Sequence, residues 1–453
     1  MTRPHRRVII ATVALLLVAA SCGNATGTAG NSSDKKVKAP TDGGEANRKT
    51  HKVISGVPGV SDKEIAYAVV GTKQNNPLGT CILDCYLDGI KAYFDYRNDQ
   101  GGIYGRKLVV GEVTDDQLGN NQADALAITS GNKAFGSFQA GLLQQGWGEL
   151  NDAGVPTYTW GIDGTSAANR DAIFPSTVIG CPDCTRRVVP YVAMQAGAKH
   201  AGVLGYSTSQ NSQLCADSTG ASFKKYARDT GVDLAYLKDD LPYGLANGIG
   251  PEVTAMKKKH VDFIATCFDL NAMKTLAQEL KRQGMSDVRL YHPNTYNQNF
   301  VKDAGTLFEG DFVDVQFRPF EAATNTALTA FKKWMGKNNS DLTELAMVGW
   351  INATLAYDGL LAAGPELDRA KVLAATNAMK DFTADGLINA IDWSTAHKPY
   401  TQATRSKVKD LECGTVVEVV NGRFRQVGSR DKPWICWDST DLKWSKPVPT
   451  NFD

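Results

Sequence analysis

A pair of cysteines separated by two residues is the feature of this sequence best placed for covalent chemistry. Cys181 and Cys184 flank Pro-Asp in a C-x-x-C string, and such a pair acts as a redox couple when one thiol has a depressed pKa. Here the pair follows Phe174-Pro175 and does not open a helix after the first strand of a small domain. A thiol oxidoreductase that uses Cys181 and Cys184 is therefore one hypothesis, and a structural disulfide is the favoured one.

Other residue patterns that carry catalysis are missing from the sequence. It contains no G-x-S-x-G, Walker A or H-E-x-x-H string. Its six histidines are scattered, and Cys215 and Cys267 lack the spacing of zinc ligands. Asp115 and Asp116 are adjacent, so on a strand they would point to opposite faces and could not share a site. We therefore predict that the protein is not an enzyme and that it holds no metal and no cofactor.

The N-terminus has the pattern of an export signal. Three arginines lie within the first seven residues, an apolar run follows from Val8 to Ala20, and Ser21-Cys22 comes next. This order is typical of a secretory signal, and the run is too short for a stable membrane span. A cysteine directly after small residues resembles the bacterial lipoprotein signal, in which that cysteine becomes the lipidated first residue. The resemblance implies a signal peptide over residues 1–21, lipidation at Cys22 and an exported protein held by a lipid anchor on the outer face of the cytoplasmic membrane.

Composition predicts how the exported chain begins and which partners it lacks. Residues 22–59 are mostly small and polar, so they cannot bury enough surface to order themselves, and we predict a flexible linker. The chain has 49 basic and 48 acidic residues, and loss of residues 1–21 would remove three arginines and no acid, which leaves a net charge of −2. This balance, without a Lys/Arg cluster, predicts no nucleic-acid partner.

The other eight cysteines suggest disulfides, because an even number in an exported chain is typical of them. Closeness in sequence favours Cys81–Cys85 and Cys413–Cys436. The middle four could pair as Cys181–Cys184 with Cys215–Cys267, or otherwise.

Strand-like and helix-like runs alternate along most of the chain. The candidate strands are residues 65–70, 107–113, 134–138, 155–160, 201–206, 261–266 and 288–291. Leu87, Ile90 and Phe94 share one helical face between the first two strands. Residues 344–363 are apolar nearly all round, which predicts a buried helix, and Asn421-Gly422 predicts a hairpin. Two successive β-α series indicate an α/β fold of two domains, each with a parallel sheet flanked by helices.

A string of asparagine and glycine residues then narrows the architecture. Asn98-Asp-Gln-Gly-Gly-Ile-Tyr-Gly-Arg-Lys-Leu108, with Ala153-Gly-Val-Pro156 and Phe308-Glu-Gly310 further on, resembles the type I periplasmic binding proteins. More narrowly, it resembles the branched-chain amino-acid-binding family of ABC transporters, over roughly residues 60–430. In that family a late strand would correspond to Gly386–Trp393.

The resemblance implies two Rossmann-like lobes joined by three crossovers. Lobe one would comprise residues 60–179 plus 318–408, and lobe two residues 180–317 plus 409–440, with a C-terminal tail at 441–453. It also implies a small-molecule ligand held between the lobes, an ABC permease as membrane partner, and a monomer.

Open α/β sheets bind ligands at the carboxyl ends of their strands, so the residues that follow the strands are the candidate contacts. In lobe one these are Gln139, Gly141, Leu142, Thr159, Trp160 and Asp163. In lobe two they are Tyr206, Gln210, Phe268, Asp269 and Asn294. Asp269 has a competing role as N-cap of the helix that follows it.

Two departures from the family bear on the ligand. Amino-acid-binding members hold the ligand carboxylate with a hydroxyl-rich loop, whereas residues 139–143 have no hydroxyl. Members also place an acid of lobe two against the α-ammonium group of the ligand, and Asn294 stands at that position here. Asp269 or Asp163 could contact an ammonium group from another direction. The sequence therefore predicts an amino-acid-like or related small organic ligand, which could be neutral or differently charged. Hinge closure would capture it for an ABC importer, and the alternative is a lipid-anchored sensor for a signalling partner.

Overall fold

The computed structural model describes residues 49–143, 145–179, 184–293, 295–399, 401–405 and 411–453. Cys22, Cys181 and Asn294 lie outside this part of the chain, and so do the predicted signal peptide and most of the predicted linker. What the sequence predicts for them stays a prediction.

The first series of strands forms a parallel sheet. Among the described residues its order is β2-β1-β3-β4-β5, and each neighbouring pair is parallel. The strands are β1 (Glu64–Gly71), β2 (Lys107–Asp115), β3 (Gly136–Ala140), β4 (Thr157–Asp163) and β5 (Ile173–Ile179). The four strands predicted in this region are confirmed, with β3 and β4 each beginning two residues later than predicted.

Helices alternate with these strands and with those of the second sheet. In the first series they are α1 (Leu83–Asp99), α2 (Asn121–Gly131), α3 (Trp147–Asp152) and α4 (Gly164–Ala167). In the second series they are α5 (Val188–Gln195), α6 (Gln210–Thr230), α7 (Gly250–Lys258), α8 (Leu270–Arg282) and α9 (Gln298–Asp303). The last group is α10 (Thr326–Lys337), α11 (Glu344–Ala363), α12 (Arg369–Asn377), α13 (Trp393–Ala396) and α14 (Gln402–Arg405).

The asparagine and glycine string forms a tight reversal between α1 and β2. Gly101 and Gly102 have φ angles of +99° and +69°, which L side chains rarely adopt. A Cβ on Gly102 would also lie 2.1 Å from the carbonyl oxygen of Arg106. Glycine is therefore required at this reversal. The reversal leads from α1 into β2, and the buried face of α1 carries Leu87, Ile90 and Phe94.

The second sheet is mixed, which differs from the parallel sheet that was predicted. Its order among the described residues is β14-β13-β11-β10-β9-β8-β6-β7, with β12 paired on β11. The strands are β6 (His200–Tyr206), β7 (Asp233–Leu241), β8 (Phe263–Thr266), β9 (Arg289–His292), β10 (Phe312–Val315), β11 (Leu411–Val420), β12 (Arg423–Gln426), β13 (Trp434–Asp438) and β14 (Val448–Thr450). Strands β6 to β10 pair in parallel, whereas β11 to β14 pair antiparallel. The physical reason is the predicted Asn421-Gly422 hairpin, which returns the chain beside β11 without a helical crossover.

The chain crosses between the two sheets three times. It leaves the first sheet after β5, returns after β10 to pack α10 and α11 against α1, and enters the second sheet again at β11. We call the first sheet with its packed helices, including α10 to α12, the first half, and the second sheet with its helices the second half. Arg187, at the first crossing, is buried and paired with Glu412, at the third, with an Nη2–Oε2 distance of 2.9 Å.

Helix α11 is the buried core helix that the sequence predicts. Among the described residues it is a helix long and apolar enough to cross a membrane, but 89% of its apolar window is buried inside the protein. It crosses α1 at glycines on both helices. A Cβ on Gly89 would lie 1.8 Å from the carbonyl oxygen of Ala346, and one on Gly349 would lie 2.2 Å from that of Tyr86. The two backbones are therefore in direct contact at the crossing.

Three segments differ from what the sequence predicts. Residues 386–393 form no strand, and only an isolated bridge joins Phe382 to Ile391. The predicted linker extended to residue 59, but Ile54 and Val57 pack on the main hydrophobic core. The predicted tail adds strand β14 at the edge of the second sheet, where Asp453 pairs with the buried Arg318 at an Nη2–Oδ1 distance of 2.6 Å. In each case the partner is distant in sequence, so local pattern does not reveal it.

Candidate ligand-binding cleft

A cavity of about 510 Å³ lies between the two sheets. Its walls come from both halves of the molecule and from the crossing segments that join them. Cavities of this size hold small organic molecules. The cavity is therefore the candidate binding site.

The wall from the first half contains three of the six residues predicted there. Gly141 and Leu142 follow β3, and Trp160 lies in β4; all three line the cavity. The remaining three lie outside the lining. The side chain of Gln139 donates to the hydroxyl of Ser137 at 2.5 Å, the buried hydroxyl of Thr159 donates to the carbonyl oxygen of Gln139 at 3.1 Å, and Asp163 caps α4 by accepting from two backbone N–H groups.

The wall from the second half is an aromatic cluster with an acid beneath it. Tyr206 stacks on Phe268 with ring centroids 4.7 Å apart, and Tyr243 lies 4.9 Å from the ring of Tyr206. The hydroxyl of Tyr206 donates to Oδ2 of Asp269 at 2.6 Å. Burial and the charge of Asp269 raise the pKa of both tyrosines, that of Tyr243 to about 12. These phenols therefore stay protonated donors at neutral pH.

Asp269 has the capping role that competes with ligand binding. Its Oδ1 accepts from the backbone N–H of Ala272 at 3.0 Å in the first turn of α8. Since Oδ2 is taken by Tyr206, both carboxylate oxygens have protein partners, although the residue lines the cavity. Gln210, the first residue of α6, lies outside the lining.

The cavity lining includes three charged residues that sequence reasoning did not select, Glu344, Asp314 and Arg186, and we call this part of the lining the floor. Glu344, the first residue of α11, is 6% exposed, and its Oε1 has no hydrogen-bond partner. Burial and the nearby charge of Asp314 raise the pKa of Glu344 to about 8. Asp314 in β10 accepts from the hydroxyl of Tyr291 at 2.9 Å, and burial raises its pKa while the positive charge of Arg186 opposes the rise. Glu344, Asp314 and Arg186 all line the cavity.

A sequence profile described as periplasmic binding protein matches residues 82–411, which is most of the chain and both halves of the cleft. The chain belongs to the periplasmic binding protein family. A search of curated proteins finds no match.

Solved structures of similar shape support the same fold for this periplasmic binding protein. A fatty acid ABC transporter substrate-binding protein from Thermomonospora curvata is 17% identical and covers 88% of this chain and 100% of its own, with a TM-score of 0.64. A leucine binding protein, LivK, from Thermotoga maritima is 13% identical and covers 80% and 98%, with a TM-score of 0.63. A branched chain amino acid ABC transporter from Thermus thermophilus with bound valine is 15% identical and covers 81% and 96%, with a TM-score of 0.63. The type I periplasmic binding fold predicted from the sequence is confirmed.

Three disulfides of the periplasmic binding protein are seen in the described residues, and each contributes a cysteine to the cavity lining. They are Cys81–Cys85, Cys215–Cys267 and Cys413–Cys436. These pairings agree with those the sequence favoured or allowed. The redox hypothesis for Cys181 and Cys184 stays a prediction, because Cys181 lies outside the described residues.

The sequence contained only a weak signal for the charged floor of this periplasmic binding protein. Glu344 begins a helix that is otherwise apolar nearly all round, where an acid is also expected as a partner of the helix dipole. Asp314 lies in a short strand that pattern analysis did not identify. The crossing segments that complete the lining, including Asn389 and Trp393, could be assigned only once the path of the chain was known.

Proposed function

We propose that this protein is an extracytoplasmic solute-binding lipoprotein that captures a small organic ligand between two lobes and delivers it to an ABC importer. The lobes are residues 60–179 plus 318–408 and residues 180–317 plus 409–440. The ligand is bound without chemical change. The observation that carries the proposal is the cavity of about 510 Å³ with walls from both halves.

A wall shared between two halves supports capture by hinge closure. A ligand that touches both halves favours the closed form, because only there are both sets of contacts made. The chain crosses between the halves three times, and such crossing segments are where a hinge absorbs the motion. A membrane permease would then distinguish the closed form from the open one.

The aromatic wall supports a ligand with an apolar body. Tyr206, Phe268 and Trp160 offer broad apolar surfaces, and such residues dominate small-molecule pockets. The structural neighbours named for leucine, valine and fatty acid point to the same kind of ligand. We therefore propose an amino-acid-like or related ligand with a branched or extended hydrocarbon part.

A lipid anchor at Cys22 fits this role, because it would hold the protein beside a permease on the outer face of the membrane. The proposal for the anchor rests on the sequence pattern at residues 1–22. A permease partner rests on the family to which the chain belongs.

A thermal-shift screen tests the proposal. Amino acids, their amides, amines and medium-chain fatty acids are added to the purified protein without residues 1–21, and a ligand at a hundred times its Kd should add about 2.7 kcal/mol to the free energy of unfolding. Trp160→Ala should remove this gain, because the ring forms part of the cavity wall.

Trp444→Ala is the matched control. Trp444 packs on Tyr226 with ring centroids 5.4 Å apart and lies outside the cavity lining. This variant should keep the full response to ligand. A wild-type protein that responds to no compound, or one that converts a compound into product, would contradict the proposed function.

A further inference from the structure

Glu344 is a buried carboxyl group without a counter-charge. It forms no ion pair with any residue in the described part of the chain, and its Oε1 accepts no hydrogen bond there. Burial penalises the charged form of this carboxyl group, and the backbone hydrogen bond from Tyr296 offsets only part of that penalty. The group nevertheless forms part of the lining of the cavity.

The charged residues near Glu344 are another acid, Asp314, and one arginine, Arg186. Asp314 lies near it on β10, in the other half of the molecule, and raises the pKa of Glu344 by its negative charge. The guanidinium of Arg186 acts on Asp314 in the opposite sense. Arg186 thus acts on one of the two acids, and among the described residues no cation lowers the pKa of Glu344.

We propose that Glu344, with Asp314 beside it, binds a protonated amine of the ligand at the floor of the cavity. The inference rests on the proposed function and names the class of ligand: a small organic molecule with an ammonium group and an apolar body. An ammonium group would donate a charge-assisted hydrogen bond to the unpartnered oxygen. A ligand whose only charge is a carboxylate would offer no cation to either acid.

The aromatic wall fits the other end of such a ligand. Tyr206 and Phe268 stack on the side of the second half, and the hydroxyl of Tyr206 is held by Asp269, so the faces of both rings are fixed. Trp160 lies on the side of the first half. The ligand would place its ammonium group at the floor and its hydrocarbon part against these rings.

Matched pairs of probes test the inference by isothermal titration calorimetry. The amines are 3-methylbutylamine and 2-phenylethylamine, and their partners are 4-methylpentanoate and 3-phenylpropanoate, which carry a carboxylate in place of the amine. We expect at least one amine to bind the wild-type protein and to bind at least tenfold more tightly than its carboxylate partner. Glu344→Gln should weaken amine binding about tenfold or more, as expected for loss of a hydrogen bond to a charged group.

Glu321→Gln is the matched control for this substitution. Glu321 is a half-buried acid that accepts from the hydroxyl of Tyr296 and lies outside the cavity lining. Its replacement should leave amine affinity unchanged. If Glu344→Gln does not fold, Asp314→Asn takes its place and should also weaken amine binding.

The pH dependence of affinity provides a second readout. The groups that act on Glu344 are Asp314 and the backbone at Tyr296, and Asp314 in turn faces Arg186 and Tyr291. Since the pKa of Glu344 is about 8, the acid must lose a proton to pair with an ammonium group. Amine affinity should rise at least about tenfold from pH 6 to pH 8 in the wild type and rise less in Glu344→Gln, where Asp314 is the acid that remains.

Tighter binding of the carboxylates, failure of every amine to bind, or full amine affinity in Glu344→Gln would overturn the inference. A protein that binds a carboxylate-only compound would still be a solute-binding protein. The proposed function and the inference therefore fail under different results.

Discussion

At the scale of single residues, ionisation of Glu344 lowers the stability of the ligand-free protein. Its pKa is raised from 4.5 to about 8, chiefly by burial and then by the charge of Asp314. The folded protein therefore holds this proton more tightly than the unfolded chain does. Binding sites commonly contain groups that lower stability in the absence of their ligand.

The sign of this shift predicts how stability changes with pH. Between about pH 4.5 and pH 8 the acid is protonated in the folded state and ionised in the unfolded state, so stability falls as pH rises, and the loss is complete above pH 8. Glu344→Gln should remove this loss and be more stabilising at pH 8.5 than at pH 5, by at most roughly 5 kcal/mol. Urea unfolding at the two pH values measures the difference. The exposed Glu64→Gln controls for removal of a carboxylate already in water, and equal effects of Glu344→Gln at both pH values would contradict the prediction.

At the scale of elements, the crossing of α1 and α11 determines where Glu344 lies. Because Gly89 and Gly349 let the two backbones touch, the first turn of α11 is held at the base of the cleft. Buried aromatic residues surround the crossing, with Tyr93 in edge contact with Trp350 at 5.0 Å. The amide of Asn352 donates to the hydroxyl of Tyr86 at 2.7 Å, which adds a polar link between the same two helices.

Two glycine-to-alanine substitutions should have opposite effects. Gly349→Ala places a Cβ 2.2 Å from the carbonyl oxygen of Tyr86, so the helices must separate, and we expect a loss of about 3 kcal/mol in the free energy of unfolding. Gly336→Ala, in α10, meets nothing within 4 Å and should add about 0.5 kcal/mol through helix propensity. Chemical denaturation measures both. If the two variants changed stability in the same direction, the proposed close approach of α1 and α11 would be refuted.

At the scale of the whole molecule, a loop of the first half reaches across the cleft. Residues 72–82 connect β1 to α1, and the disulfide between Cys81 and Cys85 ties this loop to α1. The side chain of Asn271, on α8 of the second half, donates to the carbonyl oxygen of Pro77 at 3.1 Å. Leu78 and Thr80 from the same loop line the cavity. The contact therefore links the two halves at the mouth of the binding site.

Removal of this contact should favour the open form. Asn271→Ala loses a hydrogen bond between the halves, and we expect the Kd of a compound identified by thermal shift to rise about fivefold. Small-angle scattering should show a smaller decrease in radius of gyration at subsaturating ligand than in the wild type. Asn338→Ala is the control, since Asn338 donates to Asp95 within the first half at 3.0 Å. Unchanged affinity and unchanged scattering in Asn271→Ala would show that the contact does not stabilise closure.

The sequence by itself determined the local elements and the class of fold. Short-range patterns can be recognised without the rest of the chain. They include the helical period of Leu87, Ile90 and Phe94, the apolar strands and the glycine reversal after α1. The cysteine pairs closest in sequence were predictable for the same reason. Their order along the chain was enough to indicate two α/β halves and a cleft between them.

Only the tertiary structure decided which residues form the site. Trp160, Tyr206 and Phe268 line the cavity, whereas Gln139 and Thr159, chosen by the same reasoning, bond to neighbours inside the sheet. Strand period identifies which side chains are buried, but it does not distinguish burial in a core from burial in a cleft. Glu344 lies near Asp314 because the chain crossings bring a helix of one half beside a strand of the other. That proximity depends on packing between elements distant in sequence, which no local pattern encodes.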